Sequence, residues 1–160
     1  MDRNIRILEG QFMQPKGRIA IVASRFNEFI VERLITGCID TLKRQGVQTD
    51  NIELIRVPGG FEIPLACQTA AESGRFEGVI ALGVIIRGAT PHFDYVAASC
   101  TNGLMNAQLK TKVPMAFGVL TTDSIEQAVE RAGTKAGNKG IDCALTLIEM
   151  LDVLEKVRGR

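Results

Sequence analysis

The stretch Gly78-Val-Ile-Ala-Leu-Gly-Val-Ile-Ile86, followed at once by Arg87-Gly-Ala-Thr-Pro-His92, decides the fold. A run apolar on both faces reads as a central parallel strand, because only helices on both sides of a sheet hide both rows of side chains. The residues after it turn the chain and end in Thr90-Pro91. Proline is favoured at the first helical position, and a threonine before it can cap free N–H groups. A helix is expected from Pro91 to about Lys110. His92, the only histidine of the chain, then lies in the first helical turn at the carboxyl end of a strand. In open α/β sheets that edge binds ligands, and a histidine there can transfer protons at neutral pH. The positive end of a helix disfavours imidazolium, while Asp94 nearby opposes that effect.

Working outward, residues 18–23 make a short strand of branched residues, and apolar positions from Phe29 to Leu42 recur at helical spacing over 28–45, closed by Gly46. Residues 52–57 alternate like a strand nearer an edge, and 61–73 read as a second helix. A strand at 114–120 follows the His92 helix. Asp123-Ser124-Ile125-Glu126 resembles a capping box, Gly133–Gly140 breaks the helix it opens, and 141–157 form a last amphipathic helix with Leu145, Ile148, Leu151 and Leu154 inward. Strands alternating with helices imply a four-stranded parallel sheet covered on both faces, with right-handed crossovers. Residues 1–16 match no element and read as a tail or as a strand that pairs elsewhere.

The 160 residues suit one domain, which at this size needs no staples to fold. A net charge of +1 leaves no electrostatic case for nucleic acid. Cys38, Cys67, Cys100 and Cys143 are dispersed, without the clustered ligands that zinc requires, and read as buried, reduced thiols of a cytosolic protein. The N-terminus lacks a signal-peptide apolar core, and the apolar runs are too short to span a bilayer.

Each strand empties into a loop of unusual residues: Ser24-Arg-Phe-Asn27, Pro58-Gly-Gly-Phe-Glu62, Arg87-Gly-Ala-Thr-Pro-His92 and Thr121-Thr-Asp123. Gly88-Ala89-Thr90 offers N–H groups at a helix N-terminus, either an anion site or a simple tight turn. Phe26 and Phe61 sit in loops beside polar residues, where an aromatic can stack on a flat heterocycle. Phe117, inside a strand, reads as core. Glu62 and Glu126 double as cap or dipole residues, and Arg131, Lys135 and Lys139 as dipole-complementing cations. Gly133–Gly140 superficially resembles a phosphate loop. It fails as one, because Asn138 replaces the second glycine and no Ser or Thr follows Lys139.

Together Ser24–Asn27, Val57–Pro64, Ile86–Tyr95, Phe117–Thr122 and Ile125–Gly140 resemble the 6,7-dimethyl-8-ribityllumazine synthase family, in family order and over nearly the whole chain. The resemblance implies a flavodoxin-like three-layer sandwich and a transferase of riboflavin biosynthesis. It implies condensation of 5-amino-6-(D-ribitylamino)uracil with 3,4-dihydroxy-2-butanone 4-phosphate to the lumazine, phosphate and water, with no metal or organic cofactor. By that resemblance Phe26 stacks on the pyrimidine, and Gly60, Phe61 and Glu62 hold it and its ribityl chain. Val84, Ile85 and Ile86 give backbone contacts, Ala89 and Thr90 bind the butanone phosphate, and His92 transfers protons. Phe117, Arg131 and Lys139 come from a neighbouring subunit, with Arg131 on the phosphate. Gly60 stands where the motif commonly has alanine, and Val84 where relatives often carry threonine or another small residue. The likeness further implies pentamers, in many relatives a shell of sixty subunits, with the N-terminus adding a strand to a neighbour's sheet and riboflavin synthase as a possible partner. A flavin-binding module without catalysis and a structural container are the competing readings.

Overall fold

The computed structural model describes residues 5–12 and 14–159. Strands β1 (Ile19–Ser24), β2 (Ile52–Val57), β3 (Gly78–Ile86) and β4 (Met115–Thr122) form one parallel sheet in the order β2-β1-β3-β4. The helices are α1 (Glu28–Arg44), α2 (Ile63–Glu72), α3 (His92–Thr111), α4 (Ile125–Glu130) and α5 (Lys139–Arg158). The chain steps from β1 to β2 in one direction, then returns past β1 to β3 and β4 in the other. Right-handed crossovers in opposite directions put α1 on one face and α2 and α3 on the other. α5 joins α1, completing a three-layer α/β/α sandwich of flavodoxin-like topology.

Side-chain alternation divides the core in two. Ile19, Ile21, Ile80 and Leu82 pack under α1 and α5, while Ala20, Val22, Val79 and Ala81 pack under α2 and α3. Each fully buried Ile or Leu contributes about 1.5–3 kcal/mol. Both helical layers close on a glycine. A Cβ on Gly140 of α5 would overlap the Leu34 carbonyl of α1, and one on Gly103 of α3 would lie 2.7 Å from Pro64 Cβ of α2. β2 is an edge strand and half-buried, as its alternation implied.

Several local expectations are corrected. Pro91 occupies the cap position of α3 and Thr90 does not cap it; the first helical residue is His92. The capping box at α4 is real but shifted. Ser124 Oγ accepts from the Gln127 N–H at 3.2 Å, and Gln127 Oε1 accepts from the Asp123 N–H at 2.9 Å. Gly133–Gly140 is more than a break, because it holds a small antiparallel hairpin of β5 (Ala132–Thr134) and β6 (Gly137–Asn138). The inward stripe of α5 is Gly140, Cys143, Ala144, Leu147 and Ile148, with Leu151 partly buried; Leu145 and Leu154 are half-exposed. Steps of three residues rotate a stripe by about 60° each and run off the buried face, whereas alternating threes and fours stay on it. Described residues before Lys16 adopt no regular structure and lie along α5, where the Gln11 N–H donates to Asp152 and Lys156 donates to the Glu9 carbonyl.

Candidate active site

The strand order reverses between β1 and β3, which opens a crevice at their carboxyl ends. β1 pairs with β3 only as far as Ala23 opposite Leu82, whereas β3 stays paired with β4 to Ile86 opposite Thr122. Gly83–Ile86 therefore overhangs β1. The Arg87 N–H donates to the Thr122 carbonyl at 2.9 Å, on the β4 side. Alternation along a strand turns the peptide groups of Val84 and Ile86 the other way, toward the space β1 has vacated. Asn27 Nδ2 fills part of that space and donates to the Val84 carbonyl at 2.8 Å. Asn27 is left-handed, with φ 61° and ψ 37°, a conformation that asparagine tolerates better than most residues.

The β1–α1 and β2–α2 loops are tied side by side. The Arg25 N–H donates to Val57 at 2.8 Å and the Phe26 N–H to Pro58 at 3.1 Å. Phe26 is 72% exposed and Phe61 63%, so two aromatic rings stand in solvent on the ligand edge rather than in the core. Gly60 lies over Ile85: a Cβ there would meet Ile85 Cδ1 at 3.0 Å, a clash only with the tip of a flexible side chain. An alanine at this position would fit after a small shift of Ile85.

The β3–α3 loop presents free donors. Among the described residues the N–H groups of Gly88, Ala89 and Thr90 and the Thr90 hydroxyl have no hydrogen-bond partner. His92 is exposed at the start of α3, and its ring enters no hydrogen bond among the described residues. The loop is held at its neck by Arg87, whose guanidinium donates to Asp123 at 2.9 Å and Asp94 at 3.0 Å and stacks on Phe93 at 4.2 Å. Asp123 first, then Asp94, pushes the Arg87 guanidinium above its ordinary value. Asp94 is thus already paired.

A family model described as 6,7-dimethyl-8-ribityllumazine synthase matches residues 16–155. The chain belongs to this family. It is an enzyme, a transferase, and its role lies in riboflavin biosynthesis. The residues that the lumazine synthase resemblance singles out fall into two groups. Phe26, Gly60, Phe61, Glu62, Val84, Ile85, Ile86, Ala89, Thr90 and His92 lie on adjoining loops and strand ends at one sheet edge. Phe117, Arg131 and Lys139 lie on other elements: β4, the end of α4 and the start of α5. Phe117 is five residues before the end of β4, about 16 Å along the strand. It is 40% exposed there, beside Leu104 and Met105 of α3, so its reading as core is corrected to a half-open edge. Arg131 and Lys139 bracket the hairpin, with the Lys139 N–H donating to the Arg131 carbonyl at 2.9 Å. Asn138 anchors this hairpin to α1 through the Arg33 carbonyl at 3.0 Å and caps α5 through the Gly140 N–H at 2.8 Å. Both cations are exposed, and neither forms an ion pair among the described residues.

The two glutamates also separate. Glu126 is drawn into the cap of α4, where its own N–H and Ser124 hold its carboxyl below the usual range; Glu62 makes no cap hydrogen bond at α2. A cavity of about 520 Å³ opens at the opposite, amino end of the sheet, between Phe76, Pro114, Ile148 and Arg158. It lacks the unpaired N–H groups and the histidine of the crevice, so size does not make it the active site. All four cysteines are buried and free. No cluster of three metal-ligating side chains occurs among the described residues, and no helix there is long and apolar enough to cross a membrane. Sequence reasoning missed Asn27 and Arg87. An asparagine before a helix reads as a cap, yet Asn27 reaches a different strand. The partners of Arg87 lie seven and thirty-six residues away, at no helical spacing.

Proposed function

We propose that this lumazine synthase condenses 5-amino-6-(D-ribitylamino)uracil with 3,4-dihydroxy-2-butanone 4-phosphate, giving 6,7-dimethyl-8-ribityllumazine, inorganic phosphate and water. The observation that carries the reading is the row of N–H groups at Gly88, Ala89 and Thr90, unpartnered among the described residues, beside His92 at the switch-point edge of the sheet. The pyrimidine stacks on Phe26, with Phe61 and Glu62 along its ribityl chain and the Val84–Ile86 overhang supplying peptide groups to its edge. Ala89 and Thr90 take the phosphate of the ketone. The amine forms an imine with the ketone, phosphate leaves, and the second nitrogen closes the ring; His92 carries protons between these steps. Holding both reactants in one orientation supplies much of the acceleration.

A homo-oligomer, with the pentamer as its basic unit, completes the site. Phe117 lies well back along β4, and a neighbouring chain brings it, with Arg131 and Lys139, to the crevice. Arg131 then clamps the phosphate, for which a planar guanidinium fork is suited. Closure into a sixty-subunit shell, a cytoplasmic location and enclosure of riboflavin synthase belong to the same reading.

The test is turnover of both substrates by purified protein, followed through the lumazine chromophore, with particle size measured on the same sample. Product formation no faster than the uncatalysed rate refutes the reading. His92→Ala is expected to lose part of the rate and keep pyrimidine binding; full activity removes His92 from the mechanism.

A further inference from the structure

Two carboxylates stand where an anion site should not have them. Asp94 lies in the first turn of α3, four residues after Thr90, and Asp123 opens the neighbouring β4–α4 loop. Both would repel a phosphate held by the N–H groups of Ala89 and Thr90 and oppose the positive end of α3. Arg87 binds both at once, at 3.0 and 2.9 Å, and is fixed by the Phe93 ring and by its own N–H on Thr122. One guanidinium against two carboxylates leaves a local charge of −1 instead of −2, with the cation placed between the acids.

We propose that Arg87 is a charge-compensating positioning residue for the phosphate-bearing substrate: it neutralises Asp94 and Asp123 so that the Gly88–Thr90 loop accepts a dianion. The inference rests on the substrate reading above. It makes Arg87 neither a direct phosphate ligand nor a proton carrier. All three groups are partly exposed, so the effect is screened and strongest at low ionic strength.

The experiment compares wild type, Arg87→Gln, the triple variant Arg87→Gln/Asp94→Asn/Asp123→Asn, and the pair Asp94→Asn/Asp123→Asn. It measures KM for each substrate, and the Kd of inorganic phosphate by titration calorimetry at low and high salt. Arg87→Gln is expected to raise KM for the butanone phosphate and Kd for phosphate about tenfold at low salt, leaving KM for the pyrimidine within about twofold. The triple variant lacks the clamp as completely as Arg87→Gln, yet recovers phosphate binding to within about threefold of wild type. The Asp94→Asn/Asp123→Asn pair binds phosphate no more weakly than wild type. A triple variant as impaired as Arg87→Gln overturns the inference, because the role of Arg87 is then structural. Unchanged phosphate affinity in Arg87→Gln overturns it as well. Without turnover in wild type, the same Kd pattern upholds charge compensation by Arg87 at a phosphate site and refutes the substrate reading. A wild type that neither turns over nor binds phosphate refutes both.

Discussion

Replacing Gly140 by alanine tests the packing that sets the position of Lys139. The added Cβ would sit 2.8 Å from the Leu34 carbonyl carbon and nearer still to its oxygen, whereas ordinary contact begins at 3.4 Å. α5 must therefore retreat from α1 by more than half an ångström. Leu34, Cys38, Cys143, Ala144 and Leu147 all pack in the core beneath these two helices. A gap of 0.5–1 Å forfeits a quarter to a half of each contact crossing it, and a buried leucine makes some 40–60 contacts worth about 0.1–0.2 kcal/mol each. Together with the overlap itself, this places the cost at about 3 kcal/mol, the upper end for overpacked cores. At this chain length the melting temperature should fall by about 6–12 °C. Differential scanning calorimetry at fixed protein concentration reads the shift, with Gly88→Ala as control, since a Cβ there meets nothing within 4 Å. The control should stay within about 0.5 kcal/mol of wild type. A Gly140→Ala protein that melts within 2 °C of wild type would refute the argument, because α1 and α5 would then not be in direct backbone contact. If they are, the variant should also lose turnover beyond its loss of stability, since Asn138 and Lys139 move with the helix start.

Asn27→Ala loses the bond to Val84 and places a less tolerant residue at φ 61°, so urea titration should show a loss of about 2–4 kcal/mol; Asn27→Gly, which keeps the conformation, should lose about half as much. Burial raises the thiols of Cys100 and Cys143 to about 11 and those of Cys38 and Cys67 further still, so Ellman's reagent at pH 8 should titrate no thiol in the native protein and four after denaturation. A native thiol that reacts within minutes would contradict the packing. Lys156 first, then the Gln11 N–H, holds the Asp152 carboxyl below the usual carboxylate range. Its folded pKa is depressed, so the docking of the N-terminal segment is fully present above about pH 4 and fades as pH falls through that lowered value. Protection of the Gln11 amide from hydrogen exchange should follow the same course and be lost in Asp152→Asn at pH 7.

The fold was legible because its signals are periodic and local. Two-sided apolar runs, helical spacing and turn residues located all four sheet strands and the helices within a few residues. The loops of the crevice were legible for the same reason, since each follows directly from a strand. What escaped was three-dimensional. Asn27 and Arg87 act through partners on other elements, and no spacing announces such pairs. The hairpin at 132–138 escaped because three- and two-residue strands carry no period. The inward face of α5 was misread because Gly140, which anchors it against α1, has no hydropathy to mark it.

The overhang of β3 past β1 has a consequence for how this enzyme can drift. Peptide groups, unlike side chains, are the same for every residue but proline. A valine at position 84 in place of threonine changes what the strand buries against α1 and α5, not the row of donors and acceptors that it shows to the crevice. On the proposed function, recognition at that wall comes from a length difference between two neighbouring strands. It survives any change of side chain at Val84–Ile86 short of proline, whereas at Gly83 an added Cβ would press on Ile63 and Ser24.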